Sequence, residues 1–205
     1  MVYTLLVFTH LIATCAAIGT IVITDLRLIA RAMGYRVVIP PPERFETRIV
    51  ALALTVLYLS GGAIIAMGLQ GNPELLNNPK LQAKLVLVAV LTLNALLLHR
   101  LAFPILGRSR PVSDWNRREW LTIATTVSIS NSIWFYCAFL GVARHWNGTV
   151  SLGHVLMVAL VAGVAVFTVV NVLLALASRD TPKARPDWID SLKASLSDFS
   201  ELRDR

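Results

Sequence analysis

Long uncharged apolar runs constrain this chain more than any other feature. Five runs of at least about 18 residues, the third with ionisable residues near its far end, cover residues 2–24, 49–69, 85–106, 121–143 and 155–177. A hydrocarbon core about 30 Å thick needs about 20 apolar residues in a helix. Because backbone groups in lipid must bond within their own segment, such runs are typical of spanning α-helices. The sequence therefore predicts an all-α integral membrane protein, a bundle of five transmembrane helices.

The composition supports this class. Hydrophobic residues make up 56% of the chain and charged residues 15%, whereas soluble domains carry about 25% charged residues. The net charge of +7 is explained by basic loops that hold the topology and meet anionic lipid headgroups. The lipid bilayer is therefore the expected partner, and no nucleic-acid partner is expected.

The basic residues are distributed unevenly between alternate loops. With the N-terminus outside, 16 of the 19 Lys and Arg residues fall in cytoplasmic segments. The three that face outward are Lys80, Lys84 and Arg144. Since cytoplasmic loops carry the excess of Lys and Arg, the sequence predicts a multi-pass protein of the bacterial inner (plasma) membrane. Its N-terminus lies outside and its C-terminus lies in the cytoplasm.

A polar tail, residues 179–205, follows the predicted transmembrane domain of residues 1–178. Its apolar residues recur at steps of three and four: Trp188, Leu192, Leu196 and Phe199. This pattern predicts a C-terminal amphipathic helix on the cytoplasmic membrane surface or docked on a partner. The tail is thus a candidate contact for a homo-oligomer or a larger membrane complex.

His10 lies inside the first apolar run, about 12 Å below the outer boundary at 1.5 Å per residue. Ionisable residues at such depth are costly and mark candidate functional sites. One interpretation is a neutral imidazole that donates a hydrogen bond to Ser or Asn on another span. The other is an axial ligand to haem iron or another metal. The sequence leaves both open.

Three further residues are candidates for a cofactor site. Lys84 opens the third span in the leaflet of His10, where it either reaches the headgroups or pairs with a propionate or anionic quinone group. Two imidazoles on one haem must lie at similar depth, and His10 and His154 differ by roughly 6–13 Å along the membrane normal. Helix tilt can absorb a depth difference of roughly 6 Å, so His10 and His154 are the preferred pair of metal ligands. His99, roughly 9–13 Å from His10 in depth, needs a second site or simply reaches the headgroups.

Two stretches carry a resemblance to known families. They are His10 in a first span that ends Asp25-Leu-Arg-Leu28, and Asn-Pro-Lys-Leu-Gln-Ala-Lys-Leu at 78–85, which opens the third span. This pattern resembles small bacterial polytopic families that include HemJ-type protoporphyrinogen oxidases and CopD-type copper-resistance membrane proteins. The resemblance implies that His10 and Lys84 serve a haem and substrate region.

Three functions follow as expectations. The first is haem- or quinone-linked electron transfer, a membrane oxidoreductase with haem b and a His site in the outer leaflet. The second is an accessory or assembly subunit of a larger membrane complex, which needs only apolar helices, packing residues and a docking tail. The third is a transporter of small solutes or ions, for which Gly61-Gly62 in the second span is the one hint.

Overall fold

The computed structural model describes residues 1–32 and 37–179. Five long helices make up most of this part: α1 Val2–Ala32, α2 Arg44–Gly71, α3 Pro79–Leu106, α4 Arg117–Val142 and α5 Leu152–Ala177. All five are long and apolar enough to cross a membrane. The prediction of an all-α protein with five membrane-length helices is confirmed. The predicted amphipathic helix of the tail lies outside the described residues.

Helices α2 to α5 begin several residues before the uncharged runs because polar residues cap them. Glu43 and Glu46 form a capping box that starts α2 at Arg44, where the apolar run alone suggests residue 49. Asn116 and Glu119 form the same motif before α4. A capping box supplies partners for backbone N–H groups that have none within the first turn. The charged first turns are therefore helical and extend beyond the apolar core.

Consecutive helices run antiparallel, as expected for neighbours that short connections join, and hydrogen bonds link them. The Asn94 amide of α3 donates to the Thr126 carbonyl of α4 at 2.8 Å. The Tyr136 hydroxyl of α4 donates to the Val155 carbonyl of α5 at 2.7 Å. The bundle thus has an N-terminal end, with the start of α1 and the connections 72–78 and 143–151. Its opposite end holds the end of α1, the start of α2 and the α3–α4 connection.

Small residues bring α1 and α2 together. Ala17 has no exposed surface, and Ala13 and Ala53 are buried in the same cluster. Alanine at a helix interface lets two backbones approach closely, which is how helices pack in membranes. The outer faces carry large apolar side chains, such as Leu59 at 71% exposure and Leu160 at 68%. This surface suits contact with lipid.

The last part of α3 departs from α-helical geometry. Residues Leu98–Ala102 form a π turn, and α-helical geometry resumes at Phe103. Pro104 explains the change, because its ring carries no N–H and collides with the carbonyl four residues earlier, at Arg100. Single π turns of this kind occur often at functional sites. The π turn carries His99.

Charged groups tie the opposite end together. Arg108 donates to the Glu119 carboxylate at 2.7 Å, and Arg110 bonds the same oxygen. Glu119 is buried, with 6% exposure. The Val112 N–H also donates to the Val37 carbonyl at 3.0 Å, which joins the α3–α4 connection to the segment before α2. These contacts fix the connection against the bundle.

Candidate functional site

His10 forms a hydrogen bond with a serine of the neighbouring helix. The Nδ1 atom of His10 lies 2.9 Å from the Oγ atom of Ser60, on α2. The Ser60 hydroxyl lies 2.6 Å from the Val56 carbonyl oxygen. A carbonyl can only accept, and a hydroxyl has one proton. Ser60 therefore donates to Val56 and accepts from His10, which places the imidazole proton on Nδ1.

This tautomer determines what the other side of the ring can do. With the proton on Nδ1, Nε2 of the neutral imidazole carries a free lone pair. Histidines that ligate metals usually donate their other ring N–H to a fixed acceptor, which orients the ring. Ser60 supplies that acceptor for His10. The arrangement therefore suits a ligand that binds at Nε2.

Gly61 leaves room beside the ring. A Cβ atom at position 61 would lie 3.4 Å from Cε1 of His10, at van der Waals contact. The hydrogen atom of glycine leaves that space open, so α2 passes close to the imidazole without covering it. Any side chain larger than alanine at position 61 would compete with the ring for this space.

Two lysines at the start of α3 have different surroundings. Lys80 donates to the Ala143 carbonyl at 2.7 Å and to Oδ1 of Asn147 at 2.9 Å, and so fastens α3 to the α4–α5 connection. Lys84 is half-buried one turn deeper, and among the described residues its ammonium has no hydrogen bond or ion pair. Its Nζ atom lies 3.8 Å from the position that a Cβ would take on Gly141 of α4. His10 and Lys84 both lie toward the N-terminal end of the bundle, and a site that they share stays a prediction.

His154 lies at the same end of the bundle as His10, but its contacts are with its own connection. Its ring meets Trp146 edge-on, with centroids 5.8 Å apart, and its backbone N–H donates to the Ser151 hydroxyl at 3.2 Å. The side chain is exposed. No hydrogen bond or ring contact joins it to His10 within the described residues, so a shared iron stays a prediction.

His99 belongs to a different place in the fold. It lies on the π turn near the opposite end, and its ring meets Phe103 edge-on at 4.8 Å. It lines a cavity of about 230 Å³ between α1, α2, α3 and α4. This cavity is here named the polar chamber. Eight polar residues line it, His99 among them: Thr20, Thr24, Asp25, Glu46, Thr47, His99, Ser130 and Asn131.

The polar chamber was not foreseen as a site. The uncharged run alone ends the first span at Thr24. The helix continues to Ala32, so Asp25 is a carboxyl inside a helix rather than at its end. An ionisable residue next to a long apolar run was the one available signal.

Metal centres differ in how many ligands the protein supplies. Within residues 1–32 and 37–179, no group of three or more His, Cys, Asp or Glu side chains is placed to hold a metal ion. Zinc sites need three or four such ligands, whereas haem iron takes its four equatorial ligands from the porphyrin and needs one or two from the protein. One histidine such as His10 is therefore compatible with a haem iron, and binding of haem stays a prediction.

Comparison with models of known protein families, with curated proteins and with solved structures finds no match for this chain.

Proposed function

We propose that this chain is a membrane-embedded, haem- or quinone-linked electron-transfer protein in which His10 is an axial ligand to haem b. The single observation that supports this proposal is the hydrogen bond from Nδ1 of His10 to Ser60, at 2.9 Å. It holds a neutral imidazole with its Nε2 lone pair free and its ring orientation fixed. A bound haem would supply one-electron chemistry at its iron.

The residues around His10 have distinct roles in this proposal. Ser60 positions the imidazole and fixes its tautomer. Gly61 keeps the space beside the ring open. Lys84 provides a cation with no described partner, which suits a propionate carboxylate, because charge-assisted contacts of that kind are stronger than neutral ones. His154 is the proposed second ligand on the same end of the bundle.

The proposed setting is a bacterial inner membrane, with the N-terminal end of the bundle outside. The support is the charge distribution, with 16 of 19 Lys and Arg residues in the segments that would then be cytoplasmic. In this orientation His10 and Lys84 lie in the outer leaflet and the polar chamber lies toward the cytoplasm. The resemblance to HemJ-type proteins also implies that His10 and Lys84 serve a haem and substrate region.

The test is the visible absorption spectrum of detergent-purified protein after incubation with haem. A Soret band that persists through gel filtration, with sharp bands on reduction, is the expected result. A colourless protein under both oxidising and reducing conditions would overturn the proposal and favour the accessory-subunit interpretation.

A further inference from the structure

A second cavity adjoins the polar chamber. It measures about 220 Å³ and lies between α1, α4 and α5. Apart from Asp25 and Asn131, its lining is apolar, with Ile123, Val166 and Val170 among its walls. This cavity is here named the apolar groove. It shares Asp25, Val127 and Asn131 with the polar chamber, so the two cavities meet where α1 crosses α4.

Part of the polar lining of the chamber is already occupied by internal bonds. The hydroxyls of Thr20 and Thr24 donate to backbone carbonyls of their own helix. The Glu46 carboxylate binds Arg27 and the backbone N–H of Glu43. The hydrogen bonds of these groups are made within the protein, so they offer few donors to a ligand.

Other polar groups in the chamber remain available. Among the described residues, the His99 ring and the Ser130 hydroxyl make no hydrogen bond, and the side chains of Asn131 and Asp25 line both cavities. Together they offer N–H and O–H donors and a carboxyl acceptor. Trp134 and Phe103 add aromatic walls, which suit stacking against a flat ring.

The groove opens toward the surface that faces lipid. Two of its lining residues, Phe135 and Val169, are 44% and 57% exposed. A flexible chain in the groove can therefore extend into the hydrocarbon region. A ligand that fills both cavities must have a planar head with hydrogen-bonding oxygens and a long apolar chain.

We propose that the polar chamber and the apolar groove form one binding site for an isoprenoid quinone. Its ring lies in the chamber and its chain leaves through the groove. Carbonyl oxygens of the ring accept from Asn131, Ser130 or His99, and hydroxyls of the reduced ring donate to Asp25. The choice of a quinone among amphipathic ring compounds rests on the proposed electron-transfer function. The site is separate from His10, since Asp25 follows His10 by 15 helical steps along α1, which span about 22 Å.

The experiment measures binding of decylubiquinone to the full chain in detergent by isothermal titration calorimetry. Saturable binding is expected. Asn131→Ala and His99→Ala should each weaken it at least about fivefold, since a hydrogen bond contributes about 1 kcal/mol and 1.4 kcal/mol is tenfold. His99 is exposed, so its variant tests the site without a risk to folding. Asn171→Ala is the matched control, because Asn171 bonds Trp120 and lines neither cavity.

The groove is tested by its own pair of variants. Val166→Trp should reduce decylubiquinone affinity but leave that of 2,3-dimethoxy-5-methylbenzoquinone, which lacks the chain, unchanged. Val164→Trp, at an exposed position outside the groove, should affect neither. Absence of saturable binding, equal binding of 1-decanol, or wild-type affinity in both Asn131→Ala and His99→Ala would overturn the proposal.

His10→Ala separates this inference from the proposed haem function. It should abolish the haem spectrum while leaving decylubiquinone affinity at the wild-type value, because His10 lines neither cavity. A colourless wild-type protein that still binds decylubiquinone would overturn the haem ligand alone. Loss of decylubiquinone binding in His10→Ala would overturn the separate site.

Discussion

Nδ1 of His10 lies 2.9 Å from Oγ of Ser60 across the α1–α2 interface, and the only proton of that hydroxyl is directed to the Val56 carbonyl. The serine is thus an acceptor that fixes the imidazole. The sequence suggests a Ser or Asn on another span as partner for a buried histidine, and the structure identifies it as Ser60.

Ser60→Ala should lower haem affinity about 10–100-fold, the usual effect of losing the partner that orients a metal-ligating histidine. The measurement is a haem titration followed at the Soret band. Thr55→Ala is the matched control on α2, because the Thr55 hydroxyl also donates to a backbone carbonyl, at 2.9 Å, but touches no histidine. Equal haem affinities for the two variants would contradict the role of Ser60.

Lys80→Met and Lys84→Met should affect different properties, the first the stability of the fold and the second the binding of haem. Lys80→Met removes two hydrogen bonds that fasten α3 to the α4–α5 connection, so the free energy of unfolding should fall by about 1.5–3 kcal/mol. Lys84→Met breaks no described bond and should leave the free energy of unfolding unchanged while weakening haem binding in a salt-dependent way. Unfolding in mixed detergent measures the first effect, and a haem titration measures the second. A larger loss of stability in Lys84→Met would show that its contacts are misassigned.

Glu119→Gln should lower the thermal unfolding temperature. The change removes the charge that two arginines, Arg108 and Arg110, share at the opposite end of the bundle and leaves them without a carboxylate. Asp114→Asn is the control, because the Asp114 side chain is exposed and, within residues 1–32 and 37–179, accepts a hydrogen bond from Ser113 alone. Circular dichroism during heating follows both variants. An unchanged unfolding temperature in Glu119→Gln would mean that the arginines find equivalent partners.

A reporter of membrane topology should be active after Arg205 only in its cytoplasmic form, and at Asn77 only in its exported form. The distribution of Lys and Arg between loops sets this orientation. Five helices are long and apolar enough to cross a membrane, and an odd number of crossings places the two positions on opposite sides. The reverse pattern would contradict the proposed orientation, and activity of both fusions on one side would contradict the number of spans.

The sequence predicts the helices well because lipid imposes a simple rule. Each long apolar run has to become a helix, since no other single segment satisfies its own backbone groups. The ends of the helices follow a different rule. Glu43, Glu46, Asn116 and Glu119 act through capping bonds, and an argument from hydropathy alone treats such polar residues as breaks.

The sites are harder to foresee, because they depend on which helix faces meet. Asp25, His99 and Asn131 come from α1, α3 and α4, and no spacing along the chain shows that they line one cavity. Pro104 in the sequence explains the π turn that carries His99. That His99 lines the chamber depends on how the helices pack, which the sequence does not show. The sequence places His10 and Lys84 in the same leaflet, and a site that they share stays a prediction.

The visible spectrum of His10→Ala beside that of the wild type tests the central claim most directly. With haem supplied to both, the wild type should show a Soret band and reduced bands, and His10→Ala should lose them or shift them strongly, because losing an axial imidazole changes spin state and affinity. His145→Ala, in the 3₁₀ turn Arg144–Trp146, should keep the wild-type spectrum. Identical spectra for the wild type and His10→Ala would contradict the assignment of His10 as a haem ligand.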